Sequence, residues 1–392
     1  MSQAPYPAPV PTTLVGPTIS ADSHVTEPPD AYAEIDPQFR DRAPRLVHLD
    51  DMGATMITDP GTPNQGHVPF SMIAGAGIPA DELGYSNGRR WEQLHRGGYD
   101  AAARLVEQDQ DGVAAEVLYP SVGMLLCNHP DFDYKKACFD AYNHWLAAWC
   151  ALAPDRLVGI GQTAMRTPEE GITDLESIKA LGLRGVMLPG VPAVEDYDHP
   201  AYDAFWEAAV DIGLPVSFHI LTGGAGGIAS DAYRGPKMNS FLGIIRGNQD
   251  LIGTLIFGGV FERHPGLRVV CVEADAGWAP HWMYRADHAY HRHRNWLQTG
   301  TLSRLPSEQF RAHVYLTFQD DLVAFRMLEL PDAVGIDVDH LLWANDHPHS
   351  DATWPHSQEL LAEHTAHMTD DQRDRILRRS TAALYGIPAP AS

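Results

Sequence analysis

The chain has 392 residues, of which 44% are hydrophobic and 20% are charged, a composition typical of globular proteins. Its formal net charge of −23 disfavours binding to nucleic acid or to anionic membrane surfaces. No stretch of about 18 apolar residues occurs in the sequence, so we expect no membrane span.

The cysteines and the first residues bear on the cellular compartment. Cys127, Cys138, Cys150 and Cys271 form no CxxC pair, which is typical of free thiols in a reducing environment. Residues 1–17 form a proline-rich arm that lacks the basic and apolar regions of a signal peptide. We therefore predict a cytoplasmic protein.

Short apolar segments alternate with helical patterns along the rest of the chain. The strand candidates, in chain order, are 18–24, 114–121, 156–165, 183–190, 214–220, 267–275, 313–321 and 340–348. The helix candidates between them are 99–112, 134–154, 167–182, 201–213, 239–266 and 278–297. This alternation predicts an α/β fold, a single (β/α)8 TIM-type barrel over residues 18–385 followed by a short tail at 386–392. A doubly wound open sheet would alternate in the same way, although no GxGxxG follows the first strand.

A long insertion after the first strand interrupts the alternation. Residues 30–98 contain neither a strong helix nor a barrel strand, and are rich in Gly, Pro and Asn. Within them, residues 44–60 predict a small hairpin with Asp-Asp-Met-Gly at its turn. Because the insertion leaves the catalytic face of a barrel, we expect it to be a lid or an arm in an oligomer interface.

Polar residues at the ends of the predicted strands suggest a metal site. Asp22 and His24 stand two apart on the first strand, so both side chains point to one face. His219 ends the fifth strand and Asp346 follows the eighth. Since the carboxyl ends of barrel strands converge, these four residues are predicted metal ligands. Nitrogen and oxygen donors suit Zn, Fe, Mn or Co, and two histidines with a carboxylate also match the facial triad of non-heme iron enzymes.

Other polar residues at the same face have less certain roles. Glu273 after the sixth strand is interpreted either as a ligand of a second metal or as a residue that orients a ligand. Of His347 and His349, one is a candidate proton shuttle and the other a structural residue. The glycine-rich loop at 222–227 is either an anion cradle or a mobile loop, of which we favour the loop.

Several segments together resemble a known family. They are DSHVTEPPD, GGYDAAARL, DGVAAEVLYPS, FHI, FERHPGLRVVCVEADAGWAPHWMYRADH, LTFQDD and NDHPHSDATWP, running from residue 18 to about 356. The chain resembles the amidohydrolase superfamily, in the branch that includes aminocarboxymuconate semialdehyde decarboxylase and resorcylate decarboxylase. The resemblance implies a metal-dependent barrel with ligands at Asp22, His24, His219 and Asp346. Two features depart from the superfamily pattern: DxH replaces the usual HxH, and no lysine ends the fourth strand.

The insertion, GGYD and FQDD further resemble a subgroup of dinuclear non-heme iron hydroxylases, such as those of platensimycin-type diterpenoid biosynthesis. In this interpretation Glu273 and one of His347 or His349 help to hold a second metal. The favoured hypothesis is accordingly an iron monooxygenase, with up to two irons per chain and zinc or manganese as alternatives. It would hydroxylate a C–H bond of a small molecule that bears a carboxylate or thioester, with electrons from a separate ferredoxin or reductase.

The alternative hypothesis is a mononuclear divalent-metal decarboxylase or hydrolase that acts on a small carboxylic acid. In a decarboxylase, an acid such as His349 or Asp321 would protonate the substrate carbon. A barrel that has lost activity and serves as a partner subunit is the non-enzymatic alternative, against which the intact ligand set argues. Because such barrels commonly associate, we also expect a homo-oligomer.

Overall fold

The computed structural model describes residues 15–84, 88–223, 235–331 and 335–390. The eight parallel strands form one sheet in the order β1-β5-β6-β7-β8-β9-β10-β11, with helices between them. The predicted single (β/α)8 barrel is therefore confirmed. In chain order the strands are β1 (Thr18–Val25), β2 (Arg45–Leu49), β3 (Gly53–Thr58), β4 (Gly66–Pro69), β5 (Val113–Pro120), β6 (Leu157–Gln162), β7 (Gly185–Met187), β8 (Val216–His219), β9 (Val269–Val272), β10 (Val314–Phe318) and β11 (Leu341–Trp343).

The helices cover the outside of this barrel. They are α1 (Phe70–Ile73), α2 (Ala101–Asp111), α3 (Val122–Leu126), α4 (Phe132–Cys150), α5 (Pro168–Ala180), α6 (Asp203–Ile212), α7 (Lys237–Gly243), α8 (Arg246–Phe257), α9 (Val260–Arg263), α10 (Ala279–His293), α11 (Pro306–His313), α12 (Leu322–Arg326), α13 (Ser357–His364), α14 (Asp370–Asp374) and α15 (Ser380–Tyr385). Short 3-10 helices occur at Pro29–Tyr32, Pro37–Arg42, Trp91–Gln93, Arg96–Gly98, Pro200–Tyr202, Met327–Glu329 and Val338–His340, and a π-helical turn at Arg375–Arg379.

Local chemistry explains several helix boundaries. The α5 helix begins as predicted, because the Thr167 side chain accepts the Glu170 N–H and Pro168 occupies the first turn. The α4 helix begins two residues before the predicted start, where the Asp131 side chain accepts the Tyr134 N–H. The predicted helical stretch 239–266 is divided into the three helices α7, α8 and α9.

The barrel closes at what we call the barrel seam, between β1 and the segment 344–349 that follows β11. Neighbouring strands elsewhere in the sheet are joined by parallel ladders. At the seam, two backbone hydrogen bonds make the connection: Asp346 N–H donates to Asp22 O at 3.0 Å, and His24 N–H donates to His347 O at 2.8 Å. Every residue of β1 is buried, because neighbouring elements cover both of its faces.

The insertion after β1 forms a small antiparallel sheet of its own, in the order β2-β3-β4. The predicted hairpin is present as β2 and β3, and its turn ends at Gly53, whose φ of 71° favours glycine. The third strand, β4, was not predicted. A partly buried ion-pair cluster connects the insertion to the start of α4, since the Arg42 guanidinium binds Asp59 at 2.6 Å and Asp131 at 2.8 Å. The insertion also contacts the seam, where Ala76 N–H donates to Pro348 O.

Some sequence-based predictions fall on other parts of the chain. The arm up to residue 14, most of the glycine-rich loop (224–227) and the last two residues of the tail lie outside the described residues. Among the helices that are described, none has both the length and the apolar character needed to cross a bilayer.

Candidate metal centre

Five of the six predicted metal ligands converge at the carboxyl ends of the barrel strands. We call Asp22, His24, His219, Glu273 and Asp346 the central cluster. The first two share one face of β1, the third ends β8, and the last two follow β9 and β11. All except Glu273 are at most 1% exposed, and the Glu273 side chain is 14% exposed.

The donor atoms of the central cluster lie at the spacing of a coordination shell. His24 Nε2 is 3.4 Å from both Asp22 Oδ1 and Asp346 Oδ1. His219 Nε2 is 3.3 Å from His24 Nε2 and 3.3 Å from Glu273 Oε2. Ligands held by bonds of about 2.1 Å are separated by roughly 3.0–3.4 Å at octahedral to tetrahedral angles. Asp22, His24, His219 and Glu273 each offer a donor atom within 4.8 Å of the others, a spacing that fits one divalent ion. Asp346 approaches this group at His24 Nε2.

Backbone carbonyls fix the orientation of both imidazoles. The Nδ1 of His24 lies 3.0 Å from Pro120 O, and the Nδ1 of His219 lies 3.2 Å from Ile220 O. Because a carbonyl oxygen can only accept, each Nδ1 carries the proton and each Nε2 lone pair points into the cluster. This is the arrangement that metal-binding histidines adopt.

The carboxylates of the central cluster require a positive charge. Both oxygens of Asp22 and of Asp346, together with Glu273 Oε2, are buried without a hydrogen-bond partner among the residues that the structure describes. Burial and the neighbouring Glu273 raise the pKa of Asp346 well above its ordinary value. Burial alone would raise the pKa of Asp22, but the facing imidazoles of His219 and His24 bring it down to about 2. A buried, unpaired carboxylate is costly, so a divalent cation fits this donor set.

Two residues of the central cluster have unusual backbone conformations. Glu273 and Asp346 have φ values of 55° and 54°, in the left-handed region that side chains other than glycine seldom adopt. Such conformations cost about 1–3 kcal/mol each and are concentrated at functional sites. Glu273 comes directly after β9 and Asp346 comes three residues after β11, and both carboxylates lie at the barrel mouth.

His349 lies beside the central cluster. Its ring stacks on that of His24 with the centroids 3.7 Å apart, and its Nδ1 is 3.1 Å from Asp346 Oδ1. Its Nε2 is 3.0 Å from Ser121 Oγ, which itself donates to Val25 O at 2.7 Å. Since the single hydroxyl proton is used in that bond, Ser121 accepts from His349 Nε2–H. The Nδ1 of His349 therefore faces a carboxylate oxygen, with room for a proton or a cation between them.

His347, the sixth predicted ligand, does not join the central cluster. Consecutive residues point in different directions, so with Asp346 turned inward His347 points away from the mouth. Its Nε2 pairs with Glu107 Oε2 at 2.6 Å, and its ring packs edge-on against His95 with a centroid distance of 5.2 Å. We call His95, Glu107 and His347 the rear group, whose donor atoms also lie close enough to hold a metal.

Asp321, a predicted acid, has a structural position. Its Oδ2 accepts the N–H groups of Ala276 and Gly277, and its Oδ1 accepts that of Ala324 at the start of α12. These three backbone hydrogen bonds use both oxygens of the carboxylate and place it as the cap of α12. A catalytic role for Asp321 stays a prediction, because a helix cap and an acid look alike in the sequence.

Two buried charged residues that support the site were missed by sequence reasoning. Glu27 is fully buried, and its carboxylate accepts the N–H groups of Ser121, Val122 and Gly123 where β5 leads into α3. Arg104 is equally buried and contacts backbone carbonyls beside the cluster. A signal for the second was present, because polar residues recur at helical spacing along α2, where a barrel helix normally has apolar ones.

The sequence profile of the amidohydrolase family matches residues 122–387 of this chain. Among curated proteins, a γ-resorcylate decarboxylase from Rhodococcus jostii is 25% identical over 236 residues, 53% of this chain and 66% of that protein. One from Rhizobium radiobacter is 25% identical over 302 residues, 68% of this chain and 83% of that protein. The alignment with the Rhodococcus protein thus spans slightly less than two thirds of its length.

Solved structures with the same fold cover nearly the whole chain. An amidohydrolase from Mycobacterium avium subsp. paratuberculosis superposes with a TM-score of 0.71 at 19% identity, over 95% of this chain and 99% of that one. A 5-carboxyvanillate decarboxylase from Sphingomonas paucimobilis gives 0.66 at 21% identity, over the same shares. One from Novosphingobium aromaticivorans, complexed with manganese, gives 0.60 at 18% identity over 72% of this chain and 79% of that one.

At these identities the superpositions establish the shared fold, whereas the profile match covers more than half of the chain. The barrel with its helices and the profile match agree with each other. The chain therefore belongs to the amidohydrolase family.

Proposed function

We propose that this protein is a divalent-metal-dependent decarboxylase of a small carboxylic acid, with hydroxylated aromatic acids as the first substrates to test. The observation that carries the proposal is the central cluster, in which two oriented imidazoles and three carboxylates meet at the barrel mouth. Relatives named γ-resorcylate decarboxylase support it, as does the manganese complex of a 5-carboxyvanillate decarboxylase with this fold. The comparisons give no support to iron, oxygen chemistry or antibiotic biosynthesis, so the order of our two sequence-based hypotheses is reversed.

The reaction needs a cation to bind the substrate and an acid to protonate it. When bound by the central cluster, a divalent ion supplies Lewis-acid binding for the substrate carboxylate or an adjacent hydroxyl. The bond between the ring carbon and the carboxylate breaks, CO2 leaves, and the electron pair stays on the carbon. One proton then forms the new C–H bond, so that the substrate carboxylate plus one proton gives the shortened product plus CO2.

His349 is the residue that we assign to the proton transfer. It is 8% exposed and lies beside the central cluster, where its Nδ1 is 3.1 Å from Asp346 Oδ1. Ser121 holds its Nε2–H, which leaves Nδ1 as the atom that carries the transferred proton. A histidine oriented at one nitrogen and available at the other is well suited to general acid catalysis.

The proposal is tested by loading the protein with Mn2+ under anaerobic conditions and offering a panel of hydroxybenzoic acids, including 2,6-dihydroxybenzoate and 5-carboxyvanillate. We expect CO2 release in equal amounts with loss of the acid, without any need for O2. In D2O, one deuteron should appear at the carbon that carried the carboxylate. A metal-loaded protein that releases no CO2 from any acid of the panel would contradict this function.

A second candidate is a dinuclear metal oxygenase, and one observation favours it. His24, Glu273, Asp346 and His349 form a second group with metal-ligand spacing, which overlaps the first at His24 and Glu273. Glu273 is the carboxylate that both groups share, so it would be the residue placed to serve two ions, whereas His24 Nε2 would bind one of them. In this case His349 would be a ligand rather than an acid, and a ferredoxin or reductase would have to supply electrons.

Metal analysis separates the two candidates. A decarboxylase should contain one divalent ion per chain and turn over anaerobically. An oxygenase should contain two irons per chain and consume O2 together with electrons from the added donor. One ion per chain in the active protein would exclude the dinuclear candidate.

A further inference from the structure

Helix α2 buries polar residues on the side that faces the barrel. Arg104, Glu107, Gln108 and Asp111 are its buried residues, each at most 3% exposed. They stand at positions i, i+3, i+4 and i+7, which form a single helix face. A barrel helix normally packs an apolar stripe against the strands, so a polar one requires partners inside the protein.

Arg104 has four such partners. Its Nε pairs with Glu116 Oε2 on β5 at 2.5 Å, which neutralises the buried charge. Its Nη1 donates to His24 O at 2.9 Å and to Gly97 O at 3.3 Å, and its Nη2 donates to His347 O at 2.8 Å. One guanidinium therefore connects α2 and β5 with both sides of the barrel seam.

Those two sides carry the metal-binding side chains. Asp22 and His24 lie on the β1 side, and Asp346 and His349 lie on the other side. His347 O, which accepts from Arg104, also accepts the N–H of His24. The carbonyls that Arg104 contacts thus belong to a ligand, His24, and to the residue immediately after another ligand, Asp346.

We propose that Arg104 is a positioning residue that sets the spacing between the β1 ligands and Asp346 across the barrel seam. Two backbone hydrogen bonds join these segments beside the metal ligands, and Ser20 and Ser23 each form a hydrogen bond with Asn345 across the seam. The carboxylates of the central cluster repel one another before a cation binds. The planar guanidinium of Arg104 donates several N–H groups in a fixed geometry. It therefore keeps the carbonyls of His24 and His347 at fixed positions against this repulsion. The inference rests on the proposed metal site, although it does not depend on which reaction the site performs.

Arg104→Lys is the sharpest variant, because it keeps the buried charge opposite Glu116 while removing the planar fork. A single ammonium cannot reach the carboxylate and both seam carbonyls in the same geometry. We expect the Kd for Mn2+, measured by calorimetric titration of the full-length protein, to rise about 10–100-fold. The visible absorption bands of bound Co2+, which report ligand geometry, should shift in position or intensity.

Arg156→Lys is the matched control. Arg156 also donates from Nε to a strand carbonyl, Ala114 O at 3.0 Å, and pairs with an acid, Asp109, at 2.7 Å. It does so at the start of β5, whereas the metal site lies at the strand's other end. Its replacement should leave the Mn2+ Kd within about threefold of wild type and the Co2+ spectrum unchanged.

If Arg104→Lys does not fold, Glu116→Gln provides the test of the proposed role of Arg104. The amide still accepts from Arg104 Nε but no longer anchors the guanidinium by charge, so a several-fold weaker Kd and a shifted Co2+ spectrum are expected. A folded variant that has lost thermal stability but keeps the wild-type Kd and spectrum would show a purely structural role and overturn the proposal. Failure of the wild-type protein to bind any divalent ion would overturn it as well, whereas failure to release CO2 would count only against the proposed reaction.

Discussion

The central cluster and the rear group are built from the same residue types, yet they differ in how their carboxylates are satisfied. In the rear group, Glu107 Oε1 accepts the Gly97 N–H at 3.0 Å and Oε2 pairs with His347 Nε2 at 2.6 Å. In the central cluster, the contacts between imidazoles and carboxylates are 3.3–3.6 Å long, and the oxygens of Asp22 and Asp346 have no hydrogen-bond partner.

This difference indicates which group binds a cation. In the rear group one imidazole N–H and one backbone N–H satisfy a single carboxylate, so the group is already stable as a hydrogen-bonded network. In the central cluster three carboxylates face two imidazoles, and short hydrogen bonds are absent among the described residues. We therefore propose the central cluster as the metal site on the basis of its unsatisfied buried carboxylates rather than the number of histidines.

The largest expected effect is loss of metal from Asp346→Asn. The amide is nearly isosteric but neutral and a weaker ligand, so we expect Mn2+ affinity to fall by more than about 100-fold. The measurement is metal content after dialysis, together with calorimetric titration. Full retention of Mn2+ would contradict the assigned site.

A stability measurement accompanies this variant and excludes misfolding. Removing one of three facing carboxylates relieves like-charge repulsion, so metal-free Asp346→Asn should unfold at a higher temperature than metal-free wild type. A lower unfolding temperature would show that Asp346 stabilises the fold by some other contact.

The next largest expected effect is on the rate of CO2 release rather than on the affinity for Mn2+. His349→Gln should lower the rate of CO2 release by about 100- to 10,000-fold, because the general acid is lost. Bound Mn2+ should remain at one ion per chain, since the His24 and His219 ligands are intact. Loss of one of two bound ions would instead identify His349 as a ligand and favour the dinuclear candidate.

How much of this site the sequence predicts depends on the kind of signal. Asp22, His24, His219 and Asp346 follow buried apolar runs, and parallel strands must bring such strand ends together. The sequence does not distinguish His347 from His349, because the left-handed turn at Asp346 decides which ring faces the mouth. Asp321 also lies at the end of a predicted strand and was therefore predicted to be an acid. Its hydrogen-bond partners are backbone N–H groups, which a sequence pattern does not reveal.

The rear group provides a smaller effect that sharpens the comparison. Glu107→Gln keeps an oxygen for the Gly97 N–H and removes the charge opposite His347. If the group only supports the fold, the Mn2+ Kd should change by less than about threefold. A loss of one bound ion in this variant would mean that the rear group is itself a metal site.

The smallest predicted effect concerns pH and the polar face of α2. Burial and the neighbouring Glu116 raise the pKa of Asp111 to about 7, even though the hydroxyl of Ser357 donates to it at 2.6 Å. Because the folded pKa lies above the unfolded value of 3.8, the stabilisation is complete below about pH 4 and is lost as pH rises through 7. The unfolding temperature of wild type should therefore fall between pH 5 and 8 by about 2–5 °C relative to Asp111→Asn.

Asp109→Asn is the control for this effect. It lies on the same helix with a side chain that is 68% exposed, so its removal should leave the pH dependence of unfolding parallel to that of wild type. If the pH dependence of unfolding of Asp111→Asn is also parallel to that of wild type, the Asp111 carboxyl does not titrate in the folded protein over this pH range.

The barrel was easier to predict from the sequence than the insertion after β1 and the buried polar residues of α2. Barrel strands and helices follow from alternating apolar segments, and the turn residues Asp-Asp-Met-Gly identified the hairpin. The third strand of the insertion was missed, because its four residues carry no apolar alternation. The buried charges of α2 were missed because polar residues on a helix are usually solvent-exposed.

The position of the metal site at the barrel seam has a consequence for folding kinetics. Ser23 and Asn345, which hydrogen-bond across the seam, are 322 residues apart in the chain. Pairing the first strand with the segment after the last strand is therefore among the contacts of longest range in the chain, and such contacts form late and slowly. An ion bound by residues from both sides would cross-link the two ends of the barrel much as a disulfide does, so it should slow unfolding far more than it speeds folding.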